Sequence, residues 1–292
     1  MKIAVGIATA GRREILAVTV RLVTQQTRQP DRLVICRAAP DDYEAPAQGP
    51  FPIVVLTGAK GSAVQRNLIL AAVDDMDAIV FFDDDFFPAN DYVEQIEHLL
   101  SAHQDIVALT GRPMEDGVNG PGLSIEHGLH VVSEAPGNAS ATPTLTDTYG
   151  TYGCNMSFRL SLIRDHAVTF DENLPLYGWQ EDIDFSSRLA PYGRIVDASS
   201  LRGVHLGTKS GRTSGLRFGY SQIANPIYLV RKGTMPRSYA YLLIRRNVAA
   251  NLLGSFRPEP WIDRRGRLAG NALALADIAI GRISPQRILQ FE

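Results

Sequence analysis

Short apolar runs alternate with longer amphipathic segments over the first 110 residues. The apolar runs predict β-strands at 2–8, 32–36, 53–56, 78–82 and 106–110. Apolar residues at helical spacing predict helices at 14–26, 62–73 and 90–102. Strands that alternate with helices form a mostly parallel sheet with helices on both faces, so the sequence predicts an α/β fold.

The remainder of the chain has a weaker pattern and ends in helices. Residues 112–150 are rich in Gly, Pro, Asn, Ser and Thr and alternate faintly at Leu129, Val131 and Val132, which predicts loops and a hairpin beside a binding crevice. Helices are predicted at 156–166 and 180–189, strands at 194–196 and 201–205, and a mobile loop at 207–215. Further helices are predicted at 216–231, 238–253 and 266–280.

Polar residues follow several predicted strands at the point where each ends. The segments are Thr9 to Arg13, the loop 37–42, and Asp83-Asp84-Asp85. Open α/β sheets bind ligands outside the carboxyl ends of their strands. Three carboxylates that end a buried strand are too costly to bury unpaired, and a divalent cation with oxygen ligands would supply the counter-charge. A solvated acidic turn is the alternative.

A second acidic cluster, Glu181, Asp182 and Asp184, opens the helix at 180–189. Acidic residues are favoured in a first helical turn, so charge decoration of a helix N-terminus is one interpretation. Trp179 stands just before the cluster, and a sugar could stack on such a ring beside a carboxylate. One cluster to hold a metal and a second to deprotonate a hydroxyl would make a group-transfer site.

Charge and composition narrow the class of protein. The net charge is −2 at pH 7, which gives no indication of nucleic-acid binding, but the segment 232–292 is basic and the rest is acidic. Cys36 and Cys154 form no CxxC pattern, which argues against structural zinc and favours a reducing compartment. We find no signal-peptide layout and no apolar run of about 20 residues, so we expect a cytoplasmic protein or one peripheral to the inner face of the cell membrane.

Several motifs, in this order, resemble inverting glycosyltransferases of family 2, which have the GT-A fold. The motifs are 2–13, Arg66-Asn67, 81–88, 153–159, 170–172 and 178–189. The resemblance covers residues 2 to about 232. It implies a GT-A domain at 1–232, with a nucleotide-sugar-binding half at 1–111 and an acceptor-binding half at 112–232. Residues 233–292 would be a helical, basic extension.

The resemblance implies a role for each acidic residue. Asp83 and Asp85 would be the ends of a DxD motif, with Asp85 the direct ligand of Mn²⁺ or Mg²⁺. Asp83 or Asp84 would reach the ribose or the donor sugar. Asp182 would deprotonate the acceptor hydroxyl, and Glu181 would bind acceptor or donor hydroxyls.

The resemblance also extends to polar and basic residues around the donor. Thr9 and Arg12 would lie at the nucleotide, Arg66 would order the diphosphate crevice, and His205 would add a metal ligand. Lys209 and Arg212 would close on the diphosphate and exclude water. For His205 the alternative is a hydrogen-bonded structural residue, and for the loop it is a solvated basic segment.

The segment 36–42 departs from the family pattern. Many members carry an Asp-x-Ser/Gly-Ser-x-Asp loop there, which binds the nucleotide base. Here Asp41 or Asp42 could replace the usual carboxylate, or Arg37 could contact a different base. The identity of the nucleotide is therefore open.

The C-terminal segment combines arginines with large apolar residues. They include Arg245, Arg246, Arg257, Arg264, Arg265, Arg267, Tyr241, Leu242, Leu253, Phe256 and Trp261. Basic amphipathic helices can lie on an anionic membrane surface, where a lipid-linked acceptor would be found. Packing on the core or a homodimer is the alternative.

Together these features predict a metal-dependent inverting glycosyltransferase. Its donor would be a nucleotide sugar, and its acceptor a saccharide, lipid-linked or free, in bacterial cell-surface polysaccharide synthesis; that context rests on analogy. A nucleotidylyltransferase that makes an activated sugar is a second hypothesis, but it requires a Gly-rich phosphate loop after the first strand. A non-catalytic relic that binds nucleotide sugars is the third.

Overall fold

The computed structural model describes residues 1–44, 49–135, 142–210 and 213–291. The strands, in chain order, are β1 (Ile3–Thr9), β2 (Arg32–Arg37), β3 (Ile53–Thr57), β4 (Ala78–Asp83), β5 (Phe86–Pro88), β6 (Ile106–Thr110), β7 (Glu115–Asp116), β8 (Leu145–Asp147), β9 (Asn155–Arg159), β10 (Arg194–Ala198) and β11 (Gly203–His205). The helices are α1 (Arg13–Thr24), α2 (Ser62–Ala71), α3 (Tyr92–Ala102), α4 (Ile125–Ser133), α5 (Leu160–Asp165), α6 (Glu181–Leu189), α7 (Gly215–Lys232), α8 (Arg237–Gly254) and α9 (Arg264–Ala279).

The central sheet has the order β3-β2-β1-β4-β9-β6-β10-β8. Strands β3, β2, β1 and β4 pair in parallel, as do β6 and β10, whereas β9 runs antiparallel between β4 and β6. Strand β8 adds an antiparallel edge. The predicted α/β fold with a mostly parallel sheet is therefore confirmed.

Each face of the sheet has its own buried core. On one face, Ile3, Val5 and Ile7 of β1 pack with residues of α1 and α3. On the other, Ala4 and the alternate residues of β2 and β4 pack with α2, α5 and α6. Because successive side chains of a strand point to opposite faces, an apolar run such as β1 serves both cores. At Gly6 a Cβ would lie 2.7 Å from Ile69 Cγ2, so the glycine lets α2 approach the sheet closely.

Strand β9 corrects the prediction of a helix at 156–166. Residues Asn155–Arg159 form a central strand, and only Leu160–Asp165 are helical. A short apolar run fits either period, and pairing on both sides with β4 and β6 decides in favour of the strand.

Helix α4 corrects the prediction that 112–150 holds only loops and a hairpin. Ile125–Ser133 are helical, and the Ser124 side chain caps the helix by accepting a hydrogen bond from His127 N at 3.1 Å. Leu129, Val131 and Val132, whose faint alternation indicated a hairpin, belong to this helix and pack on Phe87 and its neighbours. Strands β7 and β8 are the extended parts of the segment.

A second, small sheet lies beside the carboxyl edge of the first. Its order is β5-β11-β7, and it joins the segment just after Asp85 to His205. The predicted strand at 201–205 thus begins at Gly203. This sheet brings residues from three distant parts of the chain to one end of β4.

The C-terminal helices pack on one another around a separate apolar cluster. Tyr220 and Ile223 of α7 pack there with Ala274 of α9 and Ile288 near the C-terminus. The α7–α9 contact is close, because a Cβ on Gly219 would lie 2.0 Å from Arg267 O. Within the described residues, no helix combines the length and apolar character needed to cross a membrane.

Candidate active site

The loop after β1 is tied to the acidic end of β4. Thr9 Oγ1 donates a hydrogen bond to Asp84 Oδ2 at 2.8 Å, and Arg12 Nη1 donates to Asp84 Oδ1 at 2.8 Å. Thr19 Oγ1 donates to the Asp84 carbonyl at 2.7 Å. Asp84 is buried and its two carboxylate oxygens are both bound, so it acts in this structure as the anchor of the Thr9–Arg12 loop.

Asp83, Asp85 and His205 form a cluster that can hold a metal ion. One potential ligand atom from each lies within 4.8 Å of the others. Thr208 N donates to Asp85 Oδ2 at 2.8 Å, whereas Asp85 Oδ1 is buried and lies 3.5 Å from His205 Nε2, at the upper limit of a hydrogen bond. These two potential ligand atoms therefore face each other with no closer partner among the described residues, and the donor set of two carboxylates and one imidazole fits a divalent cation. Carboxylate oxygens suit Mn²⁺ and Mg²⁺, and an imidazole nitrogen is also a common ligand of transition metals.

Asp116 orients the imidazole of His205. His205 Nδ1 lies 2.9 Å from Asp116 Oδ1, and Tyr152 OH donates to Asp116 Oδ2 at 2.7 Å. With Nδ1 held by a carboxylate, Nε2 is the nitrogen that faces Asp85 and that would bind a metal, an arrangement common at metal-binding histidines. Neither Asp116 nor Tyr152 is predicted from the sequence, because both lie in segments without a periodic pattern.

Charge around His205 shifts two pKa values in opposite directions. Burial alone lowers the pKa of His205, but its hydrogen bonds to Asp116 and Asp85 outweigh burial and raise the pKa to about 10. Burial alone raises the pKa of Asp85, but the hydrogen bond and charge of His205 and the charge of Arg12 outweigh it and lower the pKa. Without a metal, this pair is therefore an ion pair at neutral pH.

Arg66 joins the two acidic clusters. Its Nη2 donates to Asp83 Oδ1 and to the Gly153 carbonyl, each at 2.9 Å, and its Nη1 is paired with Glu181 Oε1. The guanidinium carbon lies 5.9 Å from the ring centroid of Phe81, and another ring, Phe170, is at 5.6 Å. Arg66 is 4% exposed, so it is a buried cationic link rather than a residue of the helix surface.

Asp182 is held at the start of α6 by backbone donors. Gly153 N donates to its Oδ2 and Ile183 N to its Oδ1, each at 2.9 Å. Gln180, the residue before the helix, has a left-handed backbone with φ 73°. Burial raises the pKa of Asp182, although the two backbone hydrogen bonds and the charge of Arg66 oppose that shift. A carboxylate with a raised pKa is a stronger base.

Asp184 lies on the other side of α6 and is fully buried. It is bound by Lys232 Nζ and by Thr234 Oγ1, each at 2.7 Å. Lys232 also binds Asp171 at 2.5 Å. Asp184 therefore fastens α6 to the end of α7 and lies on a different side of α6 from Asp182.

The other predicted site residues lie around the same edge. Asp42 is buried and accepts hydrogen bonds from Gly11 N at 2.7 Å and Ala39 N at 2.8 Å, whereas Asp41 is exposed. Trp179 is half-buried and lies 6.1 Å, between ring centroids, from Phe218 of α7.

The loop after His205 closes over Arg12. Arg12 Nε donates to the Ser210 carbonyl at 3.0 Å, and Lys209 Nζ donates to the carbonyls of Gly117 at 3.0 Å and Val118 at 2.9 Å. Lys209 is therefore fastened to the segment that carries Asp116. Arg212, the other predicted cation of this loop, lies outside the described residues.

No protein-family model matches the chain, and no curated protein matches its sequence. Solved structures do match it. TarS residues 1–349 from S. aureus in complex with UDP-GlcNAc matches at TM-score 0.60 and 14% identity, over 99% of this chain and 83% of that one. The mannosyltransferase PcManGT from Pyrobaculum calidifontis, in complex with GDP-Man and Mn²⁺, matches at TM-score 0.54 and 15% identity, over 99% and 78%. GalNAc-T7 with UDP, GalNAc and Mn²⁺ matches at TM-score 0.58 and 12% identity, over all of this chain and 56% of that one. The chain therefore has the GT-A fold of these glycosyltransferases, as the sequence motifs indicated.

Proposed function

We propose that this protein is a metal-dependent, inverting glycosyltransferase that moves a sugar from a nucleotide-sugar donor to a hydroxyl of a saccharide acceptor. The observation that carries the proposal is one network at the carboxyl edge of the sheet. It links the metal cluster of Asp83, Asp85 and His205 to Glu181 and Asp182 through the single cation Arg66. Structures with similar folds contain UDP-GlcNAc or GDP-Man, which supports a nucleotide-sugar donor here.

Asp83, Asp85 and His205 would hold Mn²⁺ or Mg²⁺. When bound, the cation would neutralise charge that develops on the diphosphate leaving group. Arg12 lies 3.5 Å from Asp85 and carries a further positive charge to the same place. Asp116 keeps the imidazole of His205 in position, so the site is ordered before the donor arrives.

Asp182 would take the proton from the acceptor hydroxyl. Each of its carboxylate oxygens accepts one hydrogen bond, Oδ2 from Gly153 N and Oδ1 from Ile183 N. Each oxygen therefore keeps a second lone pair that can accept a proton. Glu181 is fixed by Arg66, and its Oε2 is buried and accepts no hydrogen bond from the described residues. In the proposed complex that oxygen would accept a hydrogen bond from a hydroxyl of the donor or acceptor sugar.

The acceptor would be a growing saccharide, free or lipid-linked, of a bacterial surface polysaccharide. Only the family resemblance supports this context.

The loop after β1 argues against the nucleotidylyltransferase hypothesis. In this loop Gly11 N donates a hydrogen bond to Asp42, and Arg12 pairs with Asp84. Groups that a phosphate loop would offer to a ligand are bound here to carboxylates.

The test of the base is Asp182→Asn, with Asp165→Asn on the exposed end of α5 as the control. We expect Asp182→Asn to keep Mn²⁺-dependent thermal stabilisation by UDP or GDP sugars and to lose transfer by roughly 10²–10⁴-fold, the usual contribution of a general base. Transfer is followed by release of nucleoside diphosphate. Normal turnover in this variant would refute the assignment.

The test of the metal site is Asp85→Ala. We expect this variant to lose the extra stabilisation that Mn²⁺ gives with a nucleoside diphosphate, because the most buried carboxylate of the cluster is removed. The wild-type protein and Asp165→Asn should both keep it. Unchanged affinity for Mn²⁺ and nucleotide in Asp85→Ala would contradict the DxD assignment.

A further inference from the structure

Helix α8 presents a large apolar face to solvent. Leu253 is 71% exposed, Phe256 is 77% exposed, and Tyr241 and Leu242 are 63% and 50% exposed. Residues three, four and seven apart lie on one side of a helix. The α8 face, as we name it, consists of exposed residues on one side of α8 and of Phe256, which follows just after the helix ends at Gly254: Tyr241, Leu242, Arg245, Arg246, Ala249, Leu252, Leu253 and Phe256.

The opposite side of α8 is held to the protein by polar side chains. Asn251 Nδ2 donates to Gln222 Oε1 of α7 at 2.7 Å and to Asn271 Oδ1 of α9 at 2.8 Å. Gln222 Nε2 donates to Asn247 Oδ1 at 2.9 Å, and Asn251 is fully buried. Ile244 and Val248 of α8 also pack inward on the apolar cluster of α7 and α9, and Ala240 and Leu243 pack on a second one. The helix is therefore apolar on its outer side as well as on its inner side, and an exposed apolar patch of this kind marks an interaction surface.

The charged residues of the α8 face are both arginines, and the next acid along the chain, Glu259, pairs with Arg264. Residues 233–258 contain Arg237, Arg245, Arg246 and Arg257 and no Asp or Glu. The Arg245 guanidinium carbon lies 5.3 Å from the ring centroid of Tyr241, so cation and apolar surface are interleaved. A two-fold contact between two copies would place these arginines against each other with no acid in the patch, and like charges oppose such a dimer.

We propose that the α8 face docks on an anionic lipid surface. Basic residues interleaved with Leu, Phe and Tyr on one face are suited to a helix that lies in the headgroup region, with apolar side chains among the acyl chains and guanidinium groups at the phosphates. Electrostatic attraction of the arginines and insertion of the apolar side chains both contribute to binding. Each arginine near an anionic leaflet increases the affinity roughly fivefold. The proposal goes beyond the transferase activity and does not depend on it.

The experiment is flotation of the full chain with two kinds of vesicle. One is a mixture of phosphatidylglycerol and phosphatidylcholine, and the other is pure phosphatidylcholine. We expect binding to the mixed vesicles alone, and binding that weakens as NaCl is raised toward 1 M, where the Debye length falls to about 3 Å. Arg245→Glu/Arg246→Glu should weaken binding by at least about 30-fold, since two attractions of roughly fivefold each are lost and repulsions are added. Leu253→Ser/Phe256→Ser should weaken binding to the mixed vesicles at low salt, because large apolar side chains no longer insert among the acyl chains.

The matched control is Lys2→Glu/Arg21→Glu, which changes the net charge equally at two exposed residues outside the α8 face. This control should float like the wild type, and all variants should keep the wild-type melting temperature. Equal binding to both vesicle types, or equal losses in the control and in Arg245→Glu/Arg246→Glu, would overturn the proposal. The proposal would also be overturned if the protein bound no vesicles and sedimented as a dimer that Leu253→Ser/Phe256→Ser converts to a monomer. Nucleotide-sugar stabilisation is measured on the same samples, so failure of docking and failure of the transferase proposal are separate results.

Discussion

Removal of the cationic link is the sharpest test of the active-site electrostatics. Arg66→Met keeps a side chain of similar length between Phe81 and Phe170 but deletes the positive charge that, among the described residues, pairs with both Asp83 and Glu181. Removing one partner of a buried ion pair leaves an uncompensated charge and typically costs about 3–5 kcal/mol. We expect a loss of that size in the free energy of unfolding at pH 8.

The loss should depend on pH in a direction that the structure predicts. Burial already raises the pKa of Asp83, and Arg66 opposes that shift. In Arg66→Met the pKa of Asp83 should therefore rise further. The folded variant then binds more protons than the unfolded chain between the ordinary carboxyl pKa and the raised one, so its stability falls as pH rises through that window and recovers below it.

The assay is urea unfolding of wild type and variant at pH 5, 6, 7 and 8, with midpoints and slopes compared. Arg32→Met is the matched control, because Arg32 pairs with Asp75 at the surface and should lose far less. Adding Glu181→Gln to Arg66→Met should restore part of the stability, since the orphaned charge is removed. A loss below about 1 kcal/mol at pH 8, or a loss that is constant from pH 5 to 8, would refute the reasoning.

Three further substitutions test the supports of the site. Asp116→Ala should lower Mn²⁺ affinity about 10–100-fold in calorimetric titration, because His205 loses the carboxylate that orients it; unchanged affinity would make Asp116 irrelevant to the metal. Lys232→Met should destabilise the fold by about 1.5–3 kcal/mol in urea, because buried Asp184 keeps only Thr234 and Arg188 as partners, and a neutral result would contradict a fastening role. Gly178→Ala should cost roughly 1–2 kcal/mol, since φ is +61° there and a Cβ would lie 2.7 Å from Ser62 Oγ. The same variant should slow transfer, because the loop leads into Glu181; wild-type rate and stability would show that the loop tolerates the strain.

Local patterning predicted much of the nucleotide-binding half. Strands β1 to β4 and β6 have apolar runs bounded by turn residues, and helices α1 to α3 have amphipathic spacing, so each element is encoded within its own segment. The acidic end of β4 is equally local, since a carboxylate triplet after a buried strand must reach a polar edge. The acids at the start of α6 likewise lie where helix periodicity begins.

Only the tertiary structure decided which of these segments pair and which of their charged residues meet. Asn155–Arg159 became a strand because two neighbouring strands offered their backbone hydrogen bonds, which no local period records. The pairing of Arg66 with both acidic clusters, and of Asp116 with His205, joins residues separated by 17 to 115 positions in the chain. The sequence alone thus determined which groups carry charge and where the main elements of the first 110 residues lie. The packing of β9 and the small β5-β11-β7 sheet decided which charges meet, because burial makes a distant counter-charge necessary and only the folded chain supplies it.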